Sequence, residues 1–323
     1  DIDFQRMIHF HEAKGAVATL FVHPNGHPFD SDLLVLDHDD KITAFDSKHN
    51  VRNYWYENCV NAGIFVFEKK ICDYVPEPVK RNLENDVIKG MLEAGEPIYG
   101  YCSPEYVKDV GTVERVNQTL ADIERGVIAG KCLKNKQRCI FMDRDGTINQ
   151  YKGLVYKGED FTLEDCAVDA IRKINQSGRL GIVITNQPVV ARGLCEIEDV
   201  ENIHKKMETL LGKEGVFLDD VFYCPHHPDK GYPEENPAYK TPCECRKPKT
   251  GMIQKAAERY NIDLAGSWMI GDTTMDIQTG INAGMRTALV QTGEAGNDKK
   301  YDVKPDLVCR DLLDAVEKIL QVD

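Results

Sequence analysis

The amino-acid sequence predicts an α/β protein whose carboxyl-terminal half is a Rossmann-like parallel sheet with helices on both faces. Short apolar runs recur there, at Cys139 to Met142, Leu180 to Thr185, Trp268 to Ile270 and Thr287 to Val290, each followed by a polar or Gly-containing turn. Helical patterns separate them, at about Glu164 to Gln176, Glu198 to Leu211, Gly251 to Tyr260 and Asp276 to Ala283. Acidic, hydroxyl and cationic residues gather just after the runs, at the strand ends where such a sheet binds its ligands.

The amino-terminal half is read in the same way. Val17 to Val22 and Ala62 to Phe67 are expected as buried strands, and Phe4 to Ala13 and Leu83 to Leu92 as helices between turn signals. The stretch from Arg125 to Gln137 contains two glycines and ends in polar and basic residues, which places a linker at 127–137 between domains of 1–126 and 138–323. A chain of 323 residues can bury two such cores.

A net charge of −13 argues against a nucleic-acid or anionic-membrane surface, so a bound phosphate must be met by locally placed cations. No run approaches the roughly 20 apolar residues of a membrane span, and no charged-then-apolar leader is seen. The expectation is a soluble, cytoplasmic protein with no nucleic-acid or membrane partner. Of the 11 cysteines, Cys59, Cys72, Cys102, Cys132, Cys139, Cys166 and Cys195 stand apart without framework spacing and read as free thiols.

The chemistry begins at Asp143-Arg144-Asp145-Gly146-Thr147, where an apolar strand ends on two aspartates spaced i, i+2. Asp143 can attack phosphorus to give an aspartyl-phosphate, while Asp145 can protonate the leaving alkoxide and then activate water. Taken alone, the run reads equally well as a strand end capped by an Asp-Gly turn. Three further strand ends weigh against that. Thr185, Asn186 and Gln187 offer a hydroxyl and backbone amides to phosphoryl oxygens. Arg246 and Lys247 supply two cations, of which Lys247 can offset the charge on Asp143 and the phosphate. Asp272 is a hard oxygen ligand for Mg²⁺, with Asp143 and Asp145.

Cys224-Pro225-His226 and Cys243-Glu244-Cys245 give C-x-H and C-x-C, separated by sixteen residues. Three thiolates and one imidazole complete a closed tetrahedral shell for a structural zinc. Such a site would tie down the loop from Pro228 to Pro242 and aim Arg246 and Lys247 at the phosphate. With His226 as the ligand, His227 is expected to face solvent.

In this order and spacing the residues resemble the haloacid dehalogenase superfamily, over about 138–320. The strings FMDRDGTIN, TNQPVVARG, CPHHP, CECRKPKTGM and MIGDTTMDI are most similar to the D-glycero-D-manno-heptose 1,7-bisphosphate phosphatases and the related histidinol-phosphate phosphatases. The resemblance implies catalysis by Asp143, Asp145, Thr185 and Lys247. It implies a substrate pocket of Tyr151, Lys152, Gly153, Leu154, Asn186, Gln187, Pro188, Arg246 and Thr273, together with Mg²⁺ and a structural Zn²⁺. Pro188 and Val189 stand where the family commonly has Ser-Gly, and Thr273 where a lysine often follows the aspartate.

Residues 1–126 resemble part of the sugar-phosphate nucleotidyltransferases, through the opening DIDFQRMIHFHEAKGAVATL, Asn61 to Phe67, Asn82 to Asp86 and Val107 to Thr112. That resemblance nominates Asn61, Gly63 and Glu84 for a sugar pocket and Asp109 for a metal. The same residues read equally as a strand with close backbone approach, a helix-entry acid and a turn before a helix capped by Thr112. The family's Gly-rich nucleotide-binding loop is expected before residue 1, so no nucleotidyl transfer is expected of the sequence as given. Together the halves imply removal of the 7-phosphate from heptose 1,7-bisphosphate, in a chain once bifunctional with heptose 1-phosphate guanylyl transfer. A histidinol-phosphate phosphatase and a non-catalytic sugar-phosphate-binding protein are the alternatives.

Overall fold

The computed structural model describes residues 1–75, 80–229, 231 and 235–322. Its residues cluster into two compact units, Asp1–Lys134 and Asn135–Asp323. Lys230, residues 232–234 of the proline- and charge-rich loop, and residue 323 lie outside the described residues.

The first unit opens with α1 (Phe4–Lys14), started by the Asp3 side chain accepting from Arg6 N and stopped by Gly15 in the left-handed conformation. Its sheet contains β1 (Ala18–His23), β2 (Leu33–Leu36), β3 (Ile42–Asp46), β4 (Val60–Phe67) and β5 (Ile98–Cys102), in the order β3-β2-β4-β1-β5. Strand β1 lies antiparallel to β4 and parallel to β5, and the whole of Ala18 to Val22 is buried, which is why it reads as an unbroken apolar run. The expected helix at Leu83 to Leu92 starts as a wide π-type turn, Leu83–Ile88, and continues as α2 (Lys89–Glu93). Helix α3 (Val113–Glu124) starts where Thr112 accepts from Arg115 N, the cap that the sequence proposes. Within 127–137, α4 (Val127–Lys131) is helical and Cys132 and Leu133 are buried; the division between units falls at Lys134 and Asn135.

The second unit runs β6 (Cys139–Met142), α5 (Ala167–Ser177), β7 (Leu180–Asn186), α6 (Ile197–Lys213), β8 (Asp220–Cys224), α7 (Gly251–Tyr260), β9 (Trp268–Gly271), α8 (Thr274–Asn282), β10 (Arg286–Val290), β11 (Leu307–Cys309) and α9 (Leu312–Val322). All six strands are parallel, in the order β11-β10-β9-β6-β7-β8. The chain steps outward from β6 to β8 and then returns to build β9 to β11 on the other side. The strand order therefore reverses between β6 and β9, and the crevice at a parallel sheet's ligand-binding end opens there.

Alternate side chains explain why both faces are covered. Ile140, Met142, Val183 and Ile270 share a core with Ile171 and Ile174 of α5, Ile203 and Met207 of α6, and Val316 and Ile319 of α9. Phe141, Ile182, Ile184 and Met269 alternate with them along the strands and are equally buried. Gly280 lets α8 lie close over that opposite face, since a Cβ there would stand 2.9 Å from Met269 Cβ and 2.5 Å from Thr287 Cγ2. Among the described residues no helix is long and apolar enough to cross a membrane.

Candidate active site

The residues singled out by the sequence converge at the β6–β9 crevice. Asp143 follows β6, and its N–H donates to Ile270 O at 2.9 Å, joining it to β9. Lys247 is only 3 % exposed, and its Nζ lies 2.9 Å from Asp143 Oδ1 and 2.5 Å from Asp276 Oδ1. Burial opposes the ammonium, yet those two carboxylates hold its pKa above the usual lysine range. Burial also pushes Asp143 up to about 6, with Lys247 opposing, and pushes Asp272 up to about 8, with Asp276 and Asp143 adding to the effect. Such a site favours an additional positive charge.

Asn186 explains how a loop lysine is held so well. Its Oδ1 accepts from Lys247 N at 3.0 Å and its Nδ2 donates to Lys247 O at 3.3 Å, so the end of β7 grips the lysine backbone from both sides. Gln187 N donates to Cys224 O, while its side chain donates to Thr185 Oγ1 at 3.0 Å and to Asp145 Oδ2 at 2.8 Å. Pro188 turns the chain, its carbonyl accepting from Arg192 N, and Val189 is buried beneath.

Ligand atoms of Asp143, Asp272 and Asp276 lie within 4.8 Å of one another. Asp276 already pairs with Lys247 and accepts from Thr273 N and Oγ1, closing a capping box at the start of α8. Asp272 differs: Oδ2 accepts from Glu294 N at 2.7 Å, while Oδ1 is buried with no hydrogen-bond partner. A buried carboxylate oxygen left in this way fits a hard divalent cation. The Asp145 carboxylate does not join the group. It is turned instead to Arg144 Nη2 at 2.9 Å, Asn149 Nδ2 at 3.0 Å and Gln187.

Glycine is required on two sides of Asp272. A Cβ on Gly146 (φ +78°) would meet Asp272 Oδ2 at 2.4 Å, and one on Gly293 (φ +58°) would meet it at 2.1 Å. Gly146 is visible in the sequence as the turn after the aspartates. Gly293 and Glu294 are not, because they lie on a different loop with no motif of their own.

The expected pocket segment is only partly gathered. Tyr151 Oη donates to Glu294 Oε1, which brings it to the Asp272 side and pushes its phenol up to about 12. Lys152 Nζ bonds instead to Asp160 O and Thr162 Oγ1 at 3.1 Å, Gly153 has open space around it, and Leu154 is 37 % exposed. Arg246 Nη1 donates to His226 O at 3.1 Å.

Cys224, at the end of β8, meets the loop carrying Cys243 and Cys245. The edges Cys224–Cys245, Cys243–Cys245 and Cys224–Cys243 measure 3.1, 3.2 and 3.5 Å, with His226 Nδ1 at 3.5 Å from Cys245 and 3.7 Å from Cys224. Zinc–sulfur bonds of ~2.3 Å span tetrahedral edges of ~3.8 Å, so the donor set fits that ion with small adjustment. Sulfur–sulfur hydrogen bonding with Cys224 and Cys243 holds the Cys245 thiol down at about 5, which favours the thiolate that a metal binds. His227 does not face solvent as expected. It is 6 % exposed, its N–H donates to Tyr239 O and its Nδ1 accepts from Asp229 N, because the loop folds back over it.

In the first unit Asn61 and Gly63 lie on β4, where Asn61 Oδ1 accepts from Gly63 N. Glu84 is in the π-type turn. Exposed Asp109 accepts from Gly111 N and Arg115 Nη1. Among the described residues none of them belongs to a cluster of metal-ligating side chains.

Residues 1–126 match the nucleotidyl transferase family and residues 244–315 the HAD-hydrolase-like family. The D-glycero-beta-D-manno-heptose-1,7-bisphosphate 7-phosphatase of Haemophilus ducreyi is 37% identical over 182 residues, which are 56% of this chain and 97% of that protein. The chain belongs to this phosphatase family. The Yersinia pestis member is 39% identical over 156 residues, 48% of this chain and 81% of its own. A solved D,D-heptose 1.7-bisphosphate phosphatase from B. bronchiseptica, complexed with magnesium and phosphate, is 34% identical with a TM-score of 0.51, and the match covers 58% of this chain and 100% of that one. The phosphatase family is one of phosphoric monoester hydrolases.

Sequence reasoning also missed Arg144 and His204. Arg144 is completely buried between the two aspartates it separates in sequence, and its Nη1 lies 3.1 Å from His204 Nε2 on α6. The two are 60 positions apart, so no local spacing announces the pair.

Proposed function

We propose that residues 138–323 form a phosphatase domain that removes the 7-phosphate of D-glycero-D-manno-heptose 1,7-bisphosphate, and that residues 1–126 are a partial sugar-phosphate nucleotidyltransferase-like domain. The observation that carries this is Asp143 at the switch point, held by buried Lys247 beside an Asp272 oxygen with no partner. In the first step an Asp143 oxygen bonds to phosphorus, the bond from phosphorus to the sugar oxygen breaks, and Asp145 gives its proton to that oxygen. In the second, the Asp145 carboxylate takes a proton from water as the water oxygen attacks phosphorus, which releases phosphate and restores the Asp143 carboxylate. Lys247 and the Thr185 hydroxyl hold phosphoryl oxygens, and the tethered β7 end keeps both groups in place.

Mg²⁺, held by Asp143 and Asp272, supplies positive charge against the phosphoryl oxygens. Zn²⁺ on Cys224, His226, Cys243 and Cys245 is structural: it fixes the loop that delivers Arg246 and Lys247. Arg246, Thr273, Asn186, Gln187, Pro188 and the segment Tyr151, Lys152, Gly153 and Leu154 contact the sugar phosphate. The reduced thiols suit a cytoplasmic setting.

The relatives' substrate favours heptose over histidinol phosphate, and so does the amino-terminal match, since removal of one phosphate leaves a sugar 1-phosphate of the kind nucleotidyltransferases use. The test compares phosphate release from heptose 1,7-bisphosphate and from histidinol phosphate at equal enzyme. Preference for the heptose is expected. Faster histidinol phosphate hydrolysis overturns the substrate assignment, and hydrolysis of neither overturns the enzyme assignment.

A further inference from the structure

We propose that His204 is a positioning residue for the acid–base step: through Arg144 it fixes the orientation of the Asp145 carboxyl. This rests on the reading of Asp145 as the acid and base of the phosphatase reaction.

Arg144 lies between His204 and Asp145. Its guanidinium has donors only, and it meets Asp145 through Nη2 at 2.9 and 3.0 Å and through Nε at 3.3 Å. The side chain is wholly buried, so its remaining donor edge needs an acceptor inside the protein. His204 Nε2, at 3.1 Å, is that acceptor, which places the imidazole hydrogen on Nδ1 and leaves the ring neutral. Burial, and Arg144 itself, hold the His204 pKa well below its usual value, so the ring does not oppose the guanidinium with a charge.

His204 in turn is held by its surroundings. It sits on the buried side of α6, near Ile203 and Met207, and its ring packs against Tyr223 with centroids 5.1 Å apart. Tyr223 Oη donates to Glu201 Oε1 on the same helix at 3.1 Å. The result is a rigid support running from α6 and β8 through His204 and Arg144 to Asp145. Asn149 and Gln187 grip the same carboxylate from other sides, but from loops. Without the His204 acceptor, a buried donor edge of the guanidinium is left unpaired, which pulls the group away from its alignment on Asp145. A proton donor displaced by about 1 Å loses much of its effect.

Leaving groups separate this role from plain core filling. A sugar alkoxide needs the proton that Asp145 gives, whereas p-nitrophenolate departs without one. In single-turnover reactions, His204→Leu is expected to slow release of the sugar from heptose 1,7-bisphosphate about 10- to 100-fold. Release of p-nitrophenolate from p-nitrophenyl phosphate should change less than threefold, with KM for the heptose within threefold of the parent. His204→Gln, whose Oε1 can again accept from Arg144, is expected to restore most of the sugar-release rate. Equal slowing with both leaving groups, no slowing at all, or no rescue by glutamine overturns the proposal. If His204→Leu does not fold, His204→Phe is measured by the same criteria, because it keeps the ring contact with Tyr223 and lacks the acceptor. Asp145→Asn is run beside them. If it fails to discriminate between the two leaving groups, the reading of Asp145 is wrong; if it discriminates and the His204 variants do not, only the positioning role fails.

Discussion

Gly293→Ala should impair the enzyme chiefly by weakening its hold on Mg²⁺. The backbone at Gly293 has φ +58°, a conformation that costs a residue with a side chain about 1 kcal/mol. The larger effect is local. The new methyl would stand 2.1 Å from Asp272 Oδ2 and 2.8 Å from Gly146 Cα. A carbon and an oxygen without a bond between them rest about 3.3 Å apart, so the carboxylate must retreat by roughly 1 Å. The backbone of Gly146 blocks one route, and retreat on the other breaks the 2.7 Å bond from Glu294 N. A metal ligand misplaced by that much should cost about 100-fold in kcat/KM at limiting Mg²⁺. The assay is phosphate release across a Mg²⁺ titration, with unfolding followed in parallel. A higher half-saturating Mg²⁺ concentration and a melting point lowered by only a few degrees are expected. An unchanged Mg²⁺ requirement would refute the reasoning, because the steric argument leaves Asp272 no room to stay in place.

Asp143→Asn should abolish turnover in a steady-state phosphate assay while leaving the circular dichroism spectrum intact, since it removes the nucleophile's charge at nearly constant volume. The metal-free protein should lose stability as pH rises. Asp143 and Asp272 bind protons more tightly folded, at about 6 and 8, than at the ordinary 3.8, so their contribution is full below about 3.8 and fades through 6 and 8. Mg²⁺ should flatten that slope, raising the melting temperature by several degrees more at pH 8 than at pH 5; equal stabilisation at both would count against the assignment. Cys243→Ala should reduce bound zinc by elemental analysis and lower kcat, because the loop before Lys247 loses its tether; full zinc with normal turnover would rule the site out.

Strands buried on both faces were legible because sheet and helix layers demand continuous apolar runs, as in Cys139–Met142. The edge strands Asp220–Cys224 and Leu307–Cys309 were not, since an edge strand can mix polar and exposed residues and needs little length. Asp143 and Asp272 were visible because each follows a strand in a recognisable turn, and Lys247 because it follows the C-x-C run in the loop before α7. Gly293 and Glu294 act through space on Asp272, and His204 on Arg144, from a distant loop and helix, so no spacing marks them. The reading of His227 failed for a related reason: adjacent histidines do not alternate between ligand and solvent when the loop closes over both. The Asp145 carboxylate was expected at the metal because two aspartates at i, i+2 can face one site, but the intervening arginine folds inward and takes it.

The seam between β6 and β9 joins distant parts of the chain. Cys139 N donates to Ser267 Oγ across 128 positions, and Asp143 N to Ile270 O at the other end of the paired stretch. Synthesis therefore delivers the nucleophile long before the strand that completes its surroundings. Contacts of such separation form slowly, because a long loop must close before they are rewarded. Asp143 joins Asp272 and Asp276 only when β6 pairs with β9, so the full like-charge crowding of the site depends on that long-range closure. Hydrolytic activity is thus tied to completion of the sheet, and a partly folded chain carries its nucleophile harmlessly.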